Sequence, residues 1–323
     1  MRALETPAAK TPASDERTSI ETAVNKFLKN KQIEGVAEGS YYNQELVVRK
    51  QFLAWTKNKP LVYLDEIRLE HLEQFRASLP CEAATRRYKQ TLLRGFFKYC
   101  ILHNWIESNL ALGLSRIRVR RQPTGYFPPQ EFSVIRTAAA SYYRRQDLDC
   151  APLNARLLAF VDCLRWSGLR IGDGIQLERT KLDRKNRIQL HMEKTGEHVS
   201  VLIPDSVAEA MRMLPGKSYF FWNGRNYKGA LRNYEYTLKT LFARAGVAHG
   251  HAHMLRDTFA VELLLAGMSL DHVSKLLGHT SIKTTEKHYG PWVKAREQQL
   301  ETSIRAAWER MEVPEAPAMP IVQ

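Results

Sequence analysis

The chain has 323 residues, 44% of them apolar, enough to bury a sizeable core in one large domain or two ordinary ones. Its 48 Lys and Arg against 34 Asp and Glu give a formal charge of +14, which attracts polyanions and makes nucleic acid the leading partner. No apolar run approaches the roughly 20 residues needed to cross a bilayer. Cys81, Cys100, Cys150 and Cys163 lie far apart without a CxxC pair, so a membrane anchor and a structural zinc site are both disfavoured and a cytoplasmic protein with reduced thiols is expected.

In chain order, residues 1–17 carry no apolar period and read as a flexible tail. Thr18-Ser19-Ile20-Glu21 has the spacing of a capping box, and Ile20, Val24, Phe27 and Leu28 then recur at helical spacing. Helices are expected over 40–57, 68–78 and 83–102, so residues 18–114 form an all-α bundle. The last of these helices carries Arg86, Arg87, Lys89, Arg94 and Lys98 among its apolar positions, either a solvated stripe or a face for phosphates. Residues 115–125 hold Arg116, Arg118, Arg120 and Arg121 with a proline and no amphipathic period. They read as a basic linker whose arginines can neutralise phosphates.

Residues 126–311 form the second domain, with helices over 129–140 and 154–166. A strand pair follows at 187–192 and 198–203, joined by a turn at 194–197, after which helices resume. Gly290-Pro291 is expected to interrupt the helix holding Tyr289. Beyond it, Ile304, Ala307, Trp308 and Met311 give an apolar stripe on a short terminal helix. Residues 312–323, spaced by prolines, read as a second flexible tail. The fold class is mainly α with a small β-hairpin.

The chemistry-bearing residues lie in the second domain. Ser167-Gly168-Leu169-Arg170-Ile171-Gly172-Asp173 ends one helix and starts another, and Lys194 sits on the hairpin turn. His253-Met254-Leu255-Arg256 opens a helix, Leu276-Leu277-Gly278-His279 closes one, and Thr284 to Tyr289 follows. Guanidinium forks bind the nonbridging oxygens of a phosphodiester and stay protonated at any working pH. A tyrosine must lose its proton to attack phosphorus, which a histidine or nearby cations assist. Taken singly, each residue has a structural reading: Arg170 as a helix cap, Lys194 as a polar turn residue, His253 and Arg256 as a surface pair, Tyr289 as a core aromatic.

Together and in this order the residues resemble the catalytic set of the tyrosine recombinase (phage integrase) family. The resemblance spans at least Gly168 to Tyr289, and the N-terminal bundle is similar to the family's core-binding domain. It implies Arg170 and Arg256 as phosphate clamps, Lys194 as general acid to a 5′ oxygen, His253 and His279 as the paired histidines, and Tyr289 as the nucleophile. Of the histidines, His253 is the better candidate for proton transfer and His279 for donating to phosphate. Asp173 is implied to orient rather than react. It further implies a 3′-phosphotyrosyl intermediate with no cofactor or metal, double-stranded DNA carrying a recombination site as partner, and a synaptic tetramer in a prokaryotic cytoplasm at the nucleoid. In this family a terminal segment often docks on a neighbouring protomer. One departure is the ten-residue step from His279 to Tyr289, where about nine is common, which leaves the helical phase of Tyr289 open. Two further readings are a noncatalytic DNA-binding regulator and a type IB topoisomerase-like enzyme. The alternation His249-Gly250-His251-Ala252-His253 suggests a zinc site, but no HExxH accompanies it.

Overall fold

The structure is a computed structural model that describes residues 17–119, 124–144 and 149–311. The chain divides into two compact units, Met1–Arg121 and Gln122–Gln323.

Unit one is built from α1 (Ile20–Ile33), α2 (Glu38–Gln44), a π-helical stretch (Glu45–Leu53), α3 (Ala54–Lys57), α4 (Leu69–Ser78) and α5 (Ala83–Leu102). The α1 cap falls on Ser19, whose hydroxyl accepts from Thr22 N at 3.1 Å, one residue later than the Thr18 box expected from the sequence. Arg17, placed in the tail by its sequence, is instead tied down. Its guanidinium meets Asp65 and Glu66 at 2.9 Å and lies over the Tyr63 ring. The helix expected over 40–57 starts at Glu38 and widens in its middle. Val47, Val48, Phe52 and Leu53 are buried there, and their five-residue spacing suits the i→i+5 bonding of a π-helix. Phe27, Phe52, Phe75, Phe96 and Phe97 meet edge to face in the core at 5.3–6.2 Å, contacts that add about 0.5–1.5 kcal/mol each beyond area burial.

Several of the basic residues of α5 do not face solvent. Arg86 Nη2 donates to the Leu79 and Cys81 carbonyls, and Arg94 donates to those of Ala111 and Leu114. Lys89 is 9% exposed. Because carbonyls left bare at a chain reversal need donors, Arg86 and Arg94 serve the fold, contrary to the phosphate-facing role expected for them. Arg87 is half-buried, and Lys98, Arg116 and Arg118 are exposed; Arg120 and Arg121 lie outside the described residues.

Unit two holds α6 (Pro129–Ala140), α7 (Ala151–Ser167), α8 (Ile171–Ile175), β1 (Arg187–His191), β2 (His198–Leu202), α9 (Asp205–Arg212), α10 (Tyr227–Arg244), α11 (Ala252–Leu265), α12 (Leu270–Leu276) and α13 (Ile282–Arg310). The α7 and α11 helices, apolar on most sides, pack together at the centre. The antiparallel strands pair Arg187 with Leu202 and His191 with His198, which sends Ile188, Val199 and Val201 into the core. This small hairpin in a helical unit matches the expected fold class.

The α13 helix corrects one expectation. It runs through Pro291 as a single helix of 29 residues, where the sequence suggested a break. Proline removes the donor that would reach Lys287, and the weakened turn is bonded from outside. Thr124 Oγ1 donates to the His288 carbonyl at 2.8 Å, and Trp292 Nε1 donates to the Thr124 carbonyl at 3.1 Å. Past this turn Leu300, Ile304, Trp308 and Met311 are exposed, so the terminal stripe does not pack on its own unit.

Candidate active site

Gly168 opens the site. It caps α7 with φ +66, a left-handed conformation that favours glycine, and a Cβ there would lie 2.4 Å from the Phe259 ring. The turn it makes sets Arg170 as the residue before α8 and turns its own carbonyl toward Arg256. Arg256 is 1% exposed. Its Nη1 donates to Gly168 O and its Nη2 to Leu277 O, both at 2.7 Å, and Nη2 also meets His279 Nε2 at 3.0 Å. One guanidinium thus ties the end of α7 to the end of α12. Those bonds use three of an arginine's five N–H donors and leave two for an incoming oxygen. Burial first, then the Arg170 charge, pushes the Arg256 guanidinium down to about 10.

Arg170 is in the opposite condition. Its Nη1 is buried without a hydrogen-bond partner, and the nearest carboxylate, Asp173 Oδ2, stands 3.9 Å away. A buried donor left unbonded costs about 1–3 kcal/mol, and this one is available to an incoming acceptor. Asp173 instead accepts from the Glu193 amide at 2.9 Å, an orienting contact that fixes the hairpin turn. Lys194 projects from that turn, exposed. On its other side Thr195 Oγ1 donates to the Gly278 carbonyl at 3.1 Å. Gly278 has φ +60, and a Cβ there would come within 2.7 Å of Val199. Both neighbours of Lys194 are therefore tied to site elements.

Arginine can only donate, so His279 Nε2 accepts from Arg256 and its Nδ1 carries the proton toward Thr285 Oγ1, 2.8 Å away. Burial and then the Arg256 charge push this imidazole down to about 4. Both ring nitrogens are engaged, so His279 can donate to a phosphate only after releasing Arg256. His253 is more exposed, with Nε2 3.8 Å from Asp257 Oδ1. Partial desolvation and then Arg256 hold it below the ordinary imidazole range.

Tyr289 is 2% exposed, and its hydroxyl donates to Asp257 Oδ1 at 2.7 Å. The α13 helix resolves the question of phase: Thr285 and Tyr289, one turn apart, both face the core. Burial, then the Asp257 carboxylate, pushes the phenol well above its ordinary range, while Arg256 and Arg170 act in the other direction. Asp257 was not singled out in the sequence. Its signal there is a carboxylate inside the apolar run Met254 to Leu265, directly after Arg256. Thr285 and Thr195 were missed as well, since a lone threonine carries no pattern.

Among the described residues no three His, Cys, Asp or Glu side chains converge as a metal set. His249 stands 3.4 Å from Glu131 instead. No helix among the described residues is long and apolar enough to cross a membrane.

Residues 135–292 match the model of the phage integrase family. A tyrosine recombinase XerC of Oceanobacillus iheyensis is 24% identical over 288 residues, which cover 83% of this chain and 90% of that protein. A lambda integrase dimer bound to a COC′ core site shares the fold with a TM-score of 0.68 at 14% identity, over 85% of this chain and 78% of that one. A lambda integrase tetramer bound to a Holliday junction does so with a TM-score of 0.65 at 15% identity, over the same shares. The family match extends over Arg170, Asp173, Lys194, His253, Arg256, His279 and Tyr289 alike, and the stretch that carries them is a domain of the phage integrase family, the tyrosine recombinases.

Proposed function

We propose that this protein is a site-specific DNA recombinase that cleaves and rejoins strands through a 3′-phosphotyrosyl link on Tyr289. The observation that carries the reading is the buried Arg170 Nη1, without a hydrogen-bond partner, together with the Tyr289 phenol in the field of both the Arg170 and Arg256 guanidiniums. Two forks aimed where phosphoryl charge develops supply electrostatic stabilisation without a metal. Lys194, free to reach from its turn, protonates the departing 5′ oxygen. The covalent link keeps the bond energy, so a 5′ hydroxyl from another strand reverses the step. A regulator that only binds DNA has no use for a nucleophile, and the XerC relative is named a recombinase.

The acting form in this reading is a tetramer on two double-stranded sites in a prokaryotic cytoplasm, in keeping with the tetrameric lambda integrase complex. The exposed Ile304, Trp308 and Met311 would seat on a neighbouring protomer. Arg87, Lys98, Arg116 and Arg118 supply nonspecific phosphate contacts. The test uses a nicked suicide substrate made from the DNA most enriched after crosslinking. Wild-type protein is expected to trap it covalently and Tyr289→Phe is not; trapping by the Phe variant would remove Tyr289 from its role.

A further inference from the structure

The proton of the Tyr289 phenol has to go somewhere when its oxygen attacks, and the structure offers one acceptor. Asp257 Oδ1 takes the phenolic hydrogen bond at 2.7 Å, and no described residue makes a second hydrogen bond to that hydroxyl. The carboxylate is 4% exposed on α11, within the apolar run that follows Arg256. A buried carboxylate is costly unless paired; Asp257 has His253 Nε2 3.8 Å away and lies in the field of the Arg256 guanidinium. Burial pushes the Asp257 carboxyl up to about 6, which makes it a better proton acceptor than an ordinary aspartate. His253 is the weaker candidate on geometry, because it approaches the carboxylate and makes no described hydrogen bond to the phenol.

We infer that Asp257 is the general base of strand cleavage, taking the Tyr289 proton directly, with His253 acting behind it by orienting the carboxylate. The inference rests on the recombinase reading above. In the step, the Tyr289 O–H bond breaks and its proton passes to Asp257 Oδ1. The phenolic oxygen's electron pair forms the new P–O bond. The bond from phosphorus to the 5′ oxygen breaks, and that oxygen takes a proton from Lys194. Rejoining runs the same path backwards, with the Asp257 carboxylic acid returning its proton to the phenolic oxygen. Placing the base on the residue after Arg256 lets one turn of α11 hold both the phosphate clamp and the proton acceptor.

Asp257→Asn keeps the side-chain shape and an oxygen that can accept the phenolic hydrogen bond, but it cannot take the proton. On the suicide substrate it is expected to form covalent complex about 100-fold more slowly than wild type, with DNA binding unchanged. Placing trifluorotyrosine at position 289 of that variant, a more acidic phenol, is expected to restore at least about tenfold of the lost rate, which a merely structural role would not allow. Asp257→Glu, which retains a carboxylate, is expected to stay more active than the Asn variant. An Asn variant as fast as wild type, or faster because the contact only restrains the phenol, overturns the assignment. So does a slow Asn variant that the acidic phenol fails to rescue, or an equal loss in the Glu and Asn variants. Failure of wild-type protein to trap DNA at all overturns the recombinase reading instead, so the two are told apart.

Discussion

Replacing Arg256 with Met separates what the guanidinium costs the fold from what it gives the reaction. The side chain is 1% exposed and donates at 2.7 Å to the carbonyls of Gly168 and Leu277. Charge-assisted bonds of this kind contribute about 1.5–3 kcal/mol each, so losing both costs roughly 4 kcal/mol. Against that, burial and Arg170 hold the guanidinium at about 10, well under its ordinary range. At about 1.4 kcal/mol per pH unit the charged form is disfavoured by roughly 3 kcal/mol. Methionine occupies much of the same space without a charge to bury, but it leaves the Gly168 and Leu277 carbonyls without these donors, which is the cost counted above.

The two effects nearly cancel, and Arg256→Met is expected to unfold within about 2 kcal/mol of wild type in urea. Covalent trapping is expected to fall at least about 100-fold, the typical cost of removing one preorganised donor from developing charge. Urea titration followed by tryptophan fluorescence, run beside the suicide-substrate assay, gives both quantities on one preparation. A stability loss above about 4 kcal/mol would make Arg256 a structural tie first. Wild-type trapping by the Met variant would refute the clamp outright.

The depressed imidazole of His279, at about 4, sets a pH dependence. Its folded pKa lies below the unfolded value, so the stability it contributes is present above about 6.5 and is lost as pH falls toward 4. Asp257, raised to about 6, works in the opposite direction and masks part of this in wild type, so the comparison is made against His279→Gln. The stability gap between wild type and that variant is expected to shrink by roughly 2 kcal/mol from pH 7 to pH 4.5, read by urea unfolding at each pH; a constant gap contradicts the tautomer drawn from Arg256. Gly278→Ala combines a φ of +60 with a Cβ 2.7 Å from Val199, and is expected to cost about 2–3 kcal/mol in thermal unfolding, with slower cleavage because Thr195 loses its seat beside Lys194. Truncation after Glu301 removes Ile304, Trp308 and Met311 and is expected to weaken recombination far more than binding to a single site. Equal losses in both assays would contradict the neighbour-docking role.

What was legible in the sequence was whatever repeats or recurs in order. The apolar periods of α1, α5 and α6 located those helices, and the alternation in 187–192 and 198–203 located the hairpin. The candidate catalytic residues were legible for a different reason: their chemical types stand in the order of the family they resemble. The π-helical stretch was not legible, because a five-residue spacing of Val47, Val48, Phe52 and Leu53 also looks like an irregular α-helix. The continuity of α13 was hidden because Pro291 is a break signal in isolation, and the bonds that hold its turn come from Thr124, more than 160 residues away. Arg86 and Arg94 show the same limit in the other direction. Charge on a helix is visible in a sequence, but the carbonyls it satisfies are not.

The α11 and α13 helices between them hold the proposed clamp, base and nucleophile. Arg256 and Asp257 are adjacent on α11, whereas Thr285 and Tyr289 are one turn apart on α13, and each α13 residue bonds a different part of the site: Thr285 the His279 imidazole, Tyr289 the Asp257 carboxylate. A rotation or shift of α13 therefore changes two things at once. It moves the Tyr289 hydroxyl away from Asp257, and it frees the imidazole whose Nε2 occupies an Arg256 donor. The exposed apolar stripe lies farther along this same helix, past the turn that Thr124 bonds from outside. A load placed on the stripe by a neighbouring protomer thus has a covalent path of helical turns to Tyr289, and the Thr124 bonds at Pro291 are where that path is stiffened or yields.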